Sequence, residues 1–267
     1  MMEKLIVLGT GNASVKKCYN TCFALQSRDE YFLIDAGGGN QILSRLDQMN
    51  IKMESIHHLF VTHAHTDHLL GVIWVIRMIA TQMNNHQYEG EFHIYAHTEL
   101  IEAIKTISNL TLQSKLTKLF DHQIIFHELQ DGMSKEILGH TFTFFDVLST
   151  KLKQFGFTFY NGQSKISFTG DEPYNEACFK YVENSEWLFH EAFCLYEERD
   201  IFKPYQKHHS TVKDGALLAQ KLGVKNLLLW HTEERNLTNR KFLYTKEAKE
   251  FFDGNVFVPD DLEVIKL

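Results

Sequence analysis

Apolar residues along this chain fall into short runs separated by turn-forming and polar residues, with a few longer stretches at helical spacing. Runs of strand character lie at Lys4 to Leu8, Thr21 to Leu25, Tyr31 to Ile34 and Ile56 to Val61, rich in branched and aromatic side chains that suit a pleated surface. A helix is predicted at Gln41 to Met49. A second is predicted at Leu69 to Ala80, where Val72, Val75, Ile76 and Ile79 share a face. A third begins near Thr98, with Leu100, Ile101, Ile104 and Ile107 aligned in the same way.

The later part repeats the style. Strands are predicted at Glu91 to Tyr95, Ile124 to Glu128 and Thr141 to Val147, the last placing Phe142, Phe144 and Phe145 in the core. Phe155 to Tyr160 and Lys165 to Thr169 flank the hairpin signal Asn161-Gly162. Then come a helix near Pro173 to Val182, a strand Trp187 to Phe189, a helix Thr211 to Leu222 opened by a capping box of Thr211 and Asp214, and a strand Asn226 to Trp230. Several runs are too apolar for a sheet with one wet face, so the expected class is α/β or α+β with sheets covered by helices. No Pro/Ser linker, low-complexity tract or repeat interrupts the sequence, and a single domain over residues 1–267 is expected.

Composition narrows the function classes. With 27 basic against 34 acidic residues, the net charge of -7 works against passive attraction of a polyanion. The four cysteines, Cys18, Cys22, Cys178 and Cys194, fit reduced thiols better than a disulfide framework. The opening MMEKLIVLGTG runs straight into an apolar strand without the regions of a secretory leader. The longest strongly apolar stretch, Leu69 to Ala80, is too short for a bilayer and carries Arg77. A cytoplasmic protein with no membrane partner is expected.

The chemistry concentrates in VTHAHTDHLLG, residues 61–71, where His63, His65, Asp67 and His68 follow an apolar run directly. Positions 63 and 65 share one side of an extended chain, whereas 67 and 68 diverge as the chain turns into a helix, a geometry that can serve two metal ions. Imidazole and carboxylate ligands suit Zn, Fe or Mn, so residue type alone does not choose the metal. Other apolar runs also end in possible ligands: Gly170-Asp171, His190-Glu191 and His231. In layered sheets, loops beyond strand ends converge on sites, so these residues are candidate partners at one rim. Gly9-Thr10-Gly11 has Ser14 where a dinucleotide fingerprint needs its third glycine, and that reading is weak. The glycines after Asp35 allow close backbone approach, with Asp35 orienting a ligand histidine from behind.

The tetrad H-x-H-x-D-H resembles the hallmark of the metallo-β-lactamase superfamily, and the wider pattern is most similar to its ribonuclease Z (tRNase Z) branch. LGTGNASVKKCYNTCFAL resembles that branch's first loop, with Asn20 matching its asparagine, although Val15 and Tyr19 depart from the expected proline and arginine. FLIDAGGGNQ resembles the next segment, with Asp35 as its aspartate and Gly38 in place of glutamate. FTGDE, LFHEAF, HHSTVKDGALLAQKLGV and LLLWHTEER complete the likeness from Leu5 to about Arg235. It implies a four-layer αββα sandwich. It assigns His63 and His65 to one ion, Asp67, His68 and His231 to the other, and Asp171 to both, with a metal-held hydroxide as nucleophile. Asp67, Glu191 and His209 are its catalytic residues, the last two as the pair that protonates the leaving alkoxide. A homodimer is also implied.

Two departures shape the reading. The branch adds a third histidine to the first ion at a position that falls here at Thr150, and His140 lies at the opposite end of that strand. The first ion keeps His63, His65 and Asp171, with Ser149, Thr150 or Asp146 as candidate oxygen donors. One or two divalent ions are therefore expected, zinc first, with Mn or Fe as alternatives. Between Gly156 and Asp171, FTFYNGQSKISFTG leaves no room for the long arm with which many ribonuclease Z proteins clamp tRNA. The expectation is a metal-dependent phosphodiesterase acting on a small or short phosphodiester, or another ester. The alternatives are a tRNA 3′-processing endonuclease acting on RNA, and a metal-binding relative without turnover.

Overall fold

The computed structural model describes residue 2 and residues 4–162 and 164–267; Met1, Glu3 and Gln163, the last within the hairpin signalled by Asn161-Gly162, lie outside the described residues. The first half of the chain runs β1 (Lys4–Gly9), β2 (Cys22–Ser27), β3 (Glu30–Ile34), α1 (Gln41–Gln48), β4 (Ile56–Phe60), α2 (Thr66–Asn84), β5 (Phe92–Ala96), α3 (Thr98–Thr111), α4 (Ser114–Thr117) and β6 (Ile124–Glu128). The second runs β7 (Ser134–Ile137), β8 (His140–Asp146), β9 (Phe155–Asn161), β10 (Ser164–Phe168), α5 (Phe179–Val182), β11 (Trp187–Glu191), α6 (Arg199–Phe202), α7 (Val212–Leu222), β12 (Asn226–Trp230), α8 (Arg240–Ala248), β13 (Asn255–Phe257) and β14 (Val264–Lys266).

The described strands form two seven-stranded sheets, β14-β1-β2-β3-β4-β5-β6 and β13-β12-β11-β10-β9-β8-β7. Between them lies an aromatic core in which Phe23, Phe32 and Phe60 of the first sheet meet Phe142, Phe157, Phe168 and Trp230 of the second. Each such side chain, fully buried, contributes about 1.5–3 kcal/mol. Outside the first sheet, Ile42 of α1, Val72 and Ile76 of α2 and Leu100 and Ile104 of α3 close the layer. Outside the second, Ala216 and Ala219 of α7 and Tyr244 of α8 do the same. This is the αββα sandwich.

Strand direction sets the position of the site. In the first sheet β3, β4, β5 and β6 are parallel, and in the second β10, β11, β12 and β13 are parallel. Parallel neighbours deliver their C-terminal loops to one rim, so Asp35 after β3 lies beside Thr62 and His63 after β4. Asp171 after β10, Glu191 at the end of β11 and His231 after β12 line the opposing rim. Backbone bonds tie the two rims together: Phe155 N donates to Thr62 O at 3.2 Å, Asn12 N to Thr232 O at 3.0 Å and Thr232 N to Thr10 O at 3.0 Å.

Three features differ from the sequence expectation. Helix α2 begins at Thr66, within the tetrad, so Asp67 and His68 occupy its first turn. The helix expected at Pro173 to Val182 is reduced to a 3-10 turn at Glu176–Cys178 and the single turn α5. The Asn175 side chain accepts from Ala177 N at 3.0 Å and delays the helical start, and Asn184 in a left-handed conformation ends it. Strands β7, β13 and β14 and helix α8 carry too little periodicity, or are too short, to register as apolar runs. The capping box at Thr211 and Asp214 is present as expected, and all four cysteines are unpaired. Strands β9 and β10 pair from Phe157↔Phe168 to Asn161↔Ser164, which leaves a short connection in place of an arm.

Candidate metal centre

The chain leaves β4 at Phe60 and crosses Val61 and Thr62 to the tetrad. The Asp35 carboxylate fixes this crossing: Thr62 N donates to Oδ1 and Thr62 Oγ1 to Oδ2, both at 2.8 Å. The same Oδ2 lies 2.7 Å from His68 Nδ1. Asp35 therefore orients the His68 ring, leaving Nε2 to face inward, the carboxylate behind a ligand histidine that metal sites commonly use. Asp35 and His231 both adopt left-handed backbone conformations, with φ of 54° and 57°. Such conformations in non-glycine residues cost of order 1–3 kcal/mol and collect at functional sites.

Around Asp171 the side chains converge. Asp171 Oδ2 lies 3.6 Å from His63 Nε2, 3.4 Å from His68 Nε2 and 3.4 Å from His231 Nε2. Asp67 Oδ2 lies 3.4 Å from His68 Nε2 and 3.6 Å from His231 Nε2. His65 Nδ1 approaches His63 Nε2 at 2.7 Å. Two groups of buried ligand atoms result, His63 with His68 and Asp171, and Asp67 with His68 and His231, each within 4.8 Å of one another. Thus five of the six residues of the expected ligand set fall in these two groups, drawn from both sheets, and His65 stands beside His63 outside them.

This donor set fits divalent cations. Among the described residues, His68 Nε2 and His231 Nε2 are buried without a hydrogen-bond partner, and burying polar nitrogens without partners is costly unless something else satisfies them. Electrostatics agree. Burial drives His63 well below the ordinary imidazole pKa. Burial acts the same way on His68, but Asp67, Asp35 and Asp171 override it and raise its pKa well above the ordinary value. Burial likewise opposes the ionised forms of Asp67 and Asp171, yet the surrounding imidazoles hold both carboxyls far below the usual range. The pocket gathers ionised carboxylates and imidazole nitrogens in one buried place, a donor set that suits a cation.

Beside this cluster, Glu191, His209 and His231 form a third group within 4.8 Å. Glu191 is fully buried; Ser210 N donates to its Oε1, and its Oε2 lies 3.6 Å from His209 Nδ1. Burial lowers the His209 pKa, but the nearby Glu191 carboxylate, with a further contribution from Asp171, reverses this and raises it. Phe193 stacks on the imidazole with centroids 4.9 Å apart and fixes its plane.

Asn20 lies one layer out. Its Oδ1 accepts from Gly38 N at 3.1 Å, and a Cβ at Gly38 would lie 2.7 Å from that oxygen. Tyr19, in place of the expected arginine, sets its hydroxyl 2.9 Å from both Ala36 O and Gly39 O, its single proton shared between them, so the glycine loop is braced by a phenol. Thr150 is not brought into the cluster. Its Oγ1 pairs with His208 Nδ1 at 2.6 Å and its N–H donates to Glu172 Oε2 at 3.2 Å. Ser149 donates to Glu172, and Asp146 accepts from Leu148 N. The three candidate oxygen donors are thus engaged elsewhere. Sequence reasoning missed Thr62 and Gln154, whose side chains touch the ligands from behind. Thr62 lies inside the motif segment, but an isolated glutamine such as Gln154 has no spacing signature.

The two-sheet sandwich and the histidine-aspartate cluster at its rim define a protein of the metallo-β-lactamase superfamily, ribonuclease Z-like branch. The chain belongs to the family described as "Anti-Pycsar protein Apyc1", whose profile matches residues 3–244. Among curated relatives, it is similar to ribonuclease Z of Thermococcus onnurineus, 25% identical over 310 aligned positions covering 99% of this chain and 94% of the relative. It is also similar to ribonuclease Z of Streptococcus pneumoniae, 27% identical over 316 positions covering 97% and 98%. Both alignments exceed the 267 residues of this chain, so parts of those relatives have no counterpart here. Among solved structures, YhfI of Bacillus subtilis, a metallo-β-lactamase fold protein, has a TM-score of 0.80 at 20% identity, with 99% of each chain covered. A diphosphatase of the PhnP family gives 0.75 at 17% identity, covering 99% and 98%. Zn2+-bound PqqB from Methylobacterium extorquens gives 0.74 at 11% identity, covering 99% and 100%. These three share the fold.

Proposed function

We propose that the protein is a metal-dependent hydrolase, specifically a phosphodiesterase acting on a small or short phosphodiester. The observation that carries this reading is the convergence of His63, His68 and His231 on the carboxylate oxygens of Asp67 and Asp171, with His65 beside His63. His63, His65 and Asp171 would hold one ion, and Asp67, His68, Asp171 and His231 the other, with zinc the first candidate. Bound divalent ions supply Lewis acidity toward a phosphoryl oxygen and lower the pKa of water.

The remaining work falls to the protein. The Nδ1 of His209 faces Glu191, so the other ring nitrogen is the one available to deliver a proton to the departing oxygen. The raised pKa of His209 favours its charged form, and an alkoxide, being a poor leaving group, needs that proton. Asp35, Thr62 and Asn20 hold the ligand loops in place and touch no substrate in this reading.

Substrate size is argued from the short β9–β10 connection and the net charge of -7, both of which disfavour a large polyanion. Relatives named ribonuclease Z, matched over nearly the whole chain, favour a second reading as a tRNA 3′-processing endonuclease. One experiment ranks the two. Protein reconstituted separately with Zn, Mn and Fe is given bis(p-nitrophenyl) phosphate, cyclic mononucleotides, dinucleotides and a precursor tRNA. Turnover of small diesters with the tRNA left intact supports the first reading, and preferential tRNA cleavage supports the second. Bound metal with no turnover of any ester indicates a relative that has lost activity. The resemblance further puts two copies together as a homodimer, which light scattering on the eluting protein tests.

A further inference from the structure

Gln154, just before β9, is 1% exposed and carries a polar group into the space where the two sheets meet over the ligand cluster. Its backbone is pinned on both sides: Val147 N donates to Gln154 O at 3.0 Å, and the next residue, Phe155, donates its N–H to Thr62 O at 3.2 Å. Its Nε2 donates to Asp171 Oδ1, the oxygen not facing the histidines, and lies 2.9 Å from His63 Nδ1. Because Thr62 Oγ1 gives its proton to Asp35, it is free to accept from His63 Nδ1, and the directed bond of the amide is the one to Asp171.

The space for this amide is built. Gly170, directly before Asp171, has φ of +78°, and a Cβ there would lie 2.8 Å from Gln154 Oε1 and 2.9 Å from its Cδ. Stability alone does not account for a glutamine here. Its Oε1 is buried without a hydrogen-bond partner among the described residues, and leaving such an acceptor unpaired costs about 1–3 kcal/mol. An apolar side chain of the same size would avoid that cost.

We infer that Gln154 is a positioning residue for the first metal site, holding Asp171 so that Oδ2 faces His63, on the side where the histidine expected at Thr150 is missing. This rests on the six-residue ligand set proposed above. A site left with His63, His65 and Asp171 has fewer bonds to define the carboxylate torsion, and the amide fixes the oxygen that does not bridge. Removing an outer partner of this kind typically weakens metal binding by about 10–100-fold.

The test is a zinc competition titration against a chromophoric chelator on wild type, Gln154→Leu and Gln154→Glu, with unfolding of the metal-free proteins alongside. Gln154→Leu removes the donor and the orphan acceptor together, whereas Gln154→Glu keeps the size and lacks the donor. The expected result is one zinc weakened by about tenfold or more in both variants, the other, which keeps three further ligands, weakened clearly less, and metal-free Gln154→Leu unfolding at or above the wild-type temperature. If near-UV circular dichroism shows that Gln154→Leu does not fold, Gln154→Glu decides. Affinities within about twofold of wild type, equal weakening of both ions, or a wild type holding only one ion each overturn the inference while leaving a metal centre in place. A wild type that binds no metal sinks the metal-site reading itself.

Discussion

Asp35 Oδ2 lies 2.7 Å from His68 Nδ1, joining the residue after β3 to the first turn of α2 across 33 positions of sequence. The same carboxylate takes both protons that Thr62 offers, so one buried group sets the orientation of the ligand loop and of the ring at its far end.

Asp35→Asn keeps the shape and tolerates the left-handed backbone, but replaces one accepting oxygen by a donor that cannot serve both Thr62 and His68. Metal affinity should fall by about 10–100-fold. Zinc titration checks this, and an unchanged affinity would show that Thr62 and the helix alone hold His68.

His209→Ala should lower kcat by about 100-fold or more for a diester with an alkoxide leaving group. The loss should be small for a nitrophenolate, which departs without a proton. Glu191→Gln should follow the same pattern less severely. Comparing the two substrates in each variant measures the proton requirement separately from binding, and equal losses on both would remove His209 from that role.

Stripping the ions with a chelator leaves Asp35, Asp67 and Asp171 buried around His68 with only its proton among them. A ligand present at a thousand times its Kd stabilises the folded state by about 4 kcal/mol. The Tm should fall on chelation by on the order of 10 °C and recover when zinc is restored. Calorimetry with and without chelator reads this directly.

Across the neighbouring strands β4, β5 and β6, His58, His93 and His127 sit together, with His93 Nδ1 3.0 Å from His127 Nε2. Burial first, then mutual repulsion with further contributions from His57 and Lys135, lowers His58 and His127 to about 4; His93 is also lowered, opposed only by Glu91. These folded pKa values lie below that of an unfolded histidine, so the unfolded chain takes up protons first as pH falls. Stability is retained above about pH 6.5 and is lost progressively on descent toward pH 4. His58→Gln and His127→Gln should flatten the dependence of Tm on pH over that window in metal-free protein.

Much of the site was legible because its ligands are announced by strand ends. His63, Asp171 and His231 each follow an apolar run, and the parallel pairings β3-β4 and β10-β11-β12 bring such positions to common rims. Motif context alone singled out Glu191 and His209 as a pair, and the fold does set them side by side. What escaped has physical reasons. β7 reads SKEI, an edge strand with mostly wet side chains, and β13 and β14 have three residues each, too few for a period to show. Gln154 was illegible because its role comes from a hydrogen bond to Asp171 and from room left by Gly170, and neither leaves a pattern in the letters around it. Thr150 was placed by counting along the chain, which gives sequence position but not where the hydroxyl turns.

The proposed ligands belong to opposite layers: His63, His65, Asp67 and His68 to the first, Asp171 and His231 to the second. Neither half of the polypeptide alone can complete a coordination sphere during synthesis. On the proposed ligand set, capture of a cation would be a late event in maturation, and a nascent chain stalled before His231 emerges would have only a partial, weak chelate to offer.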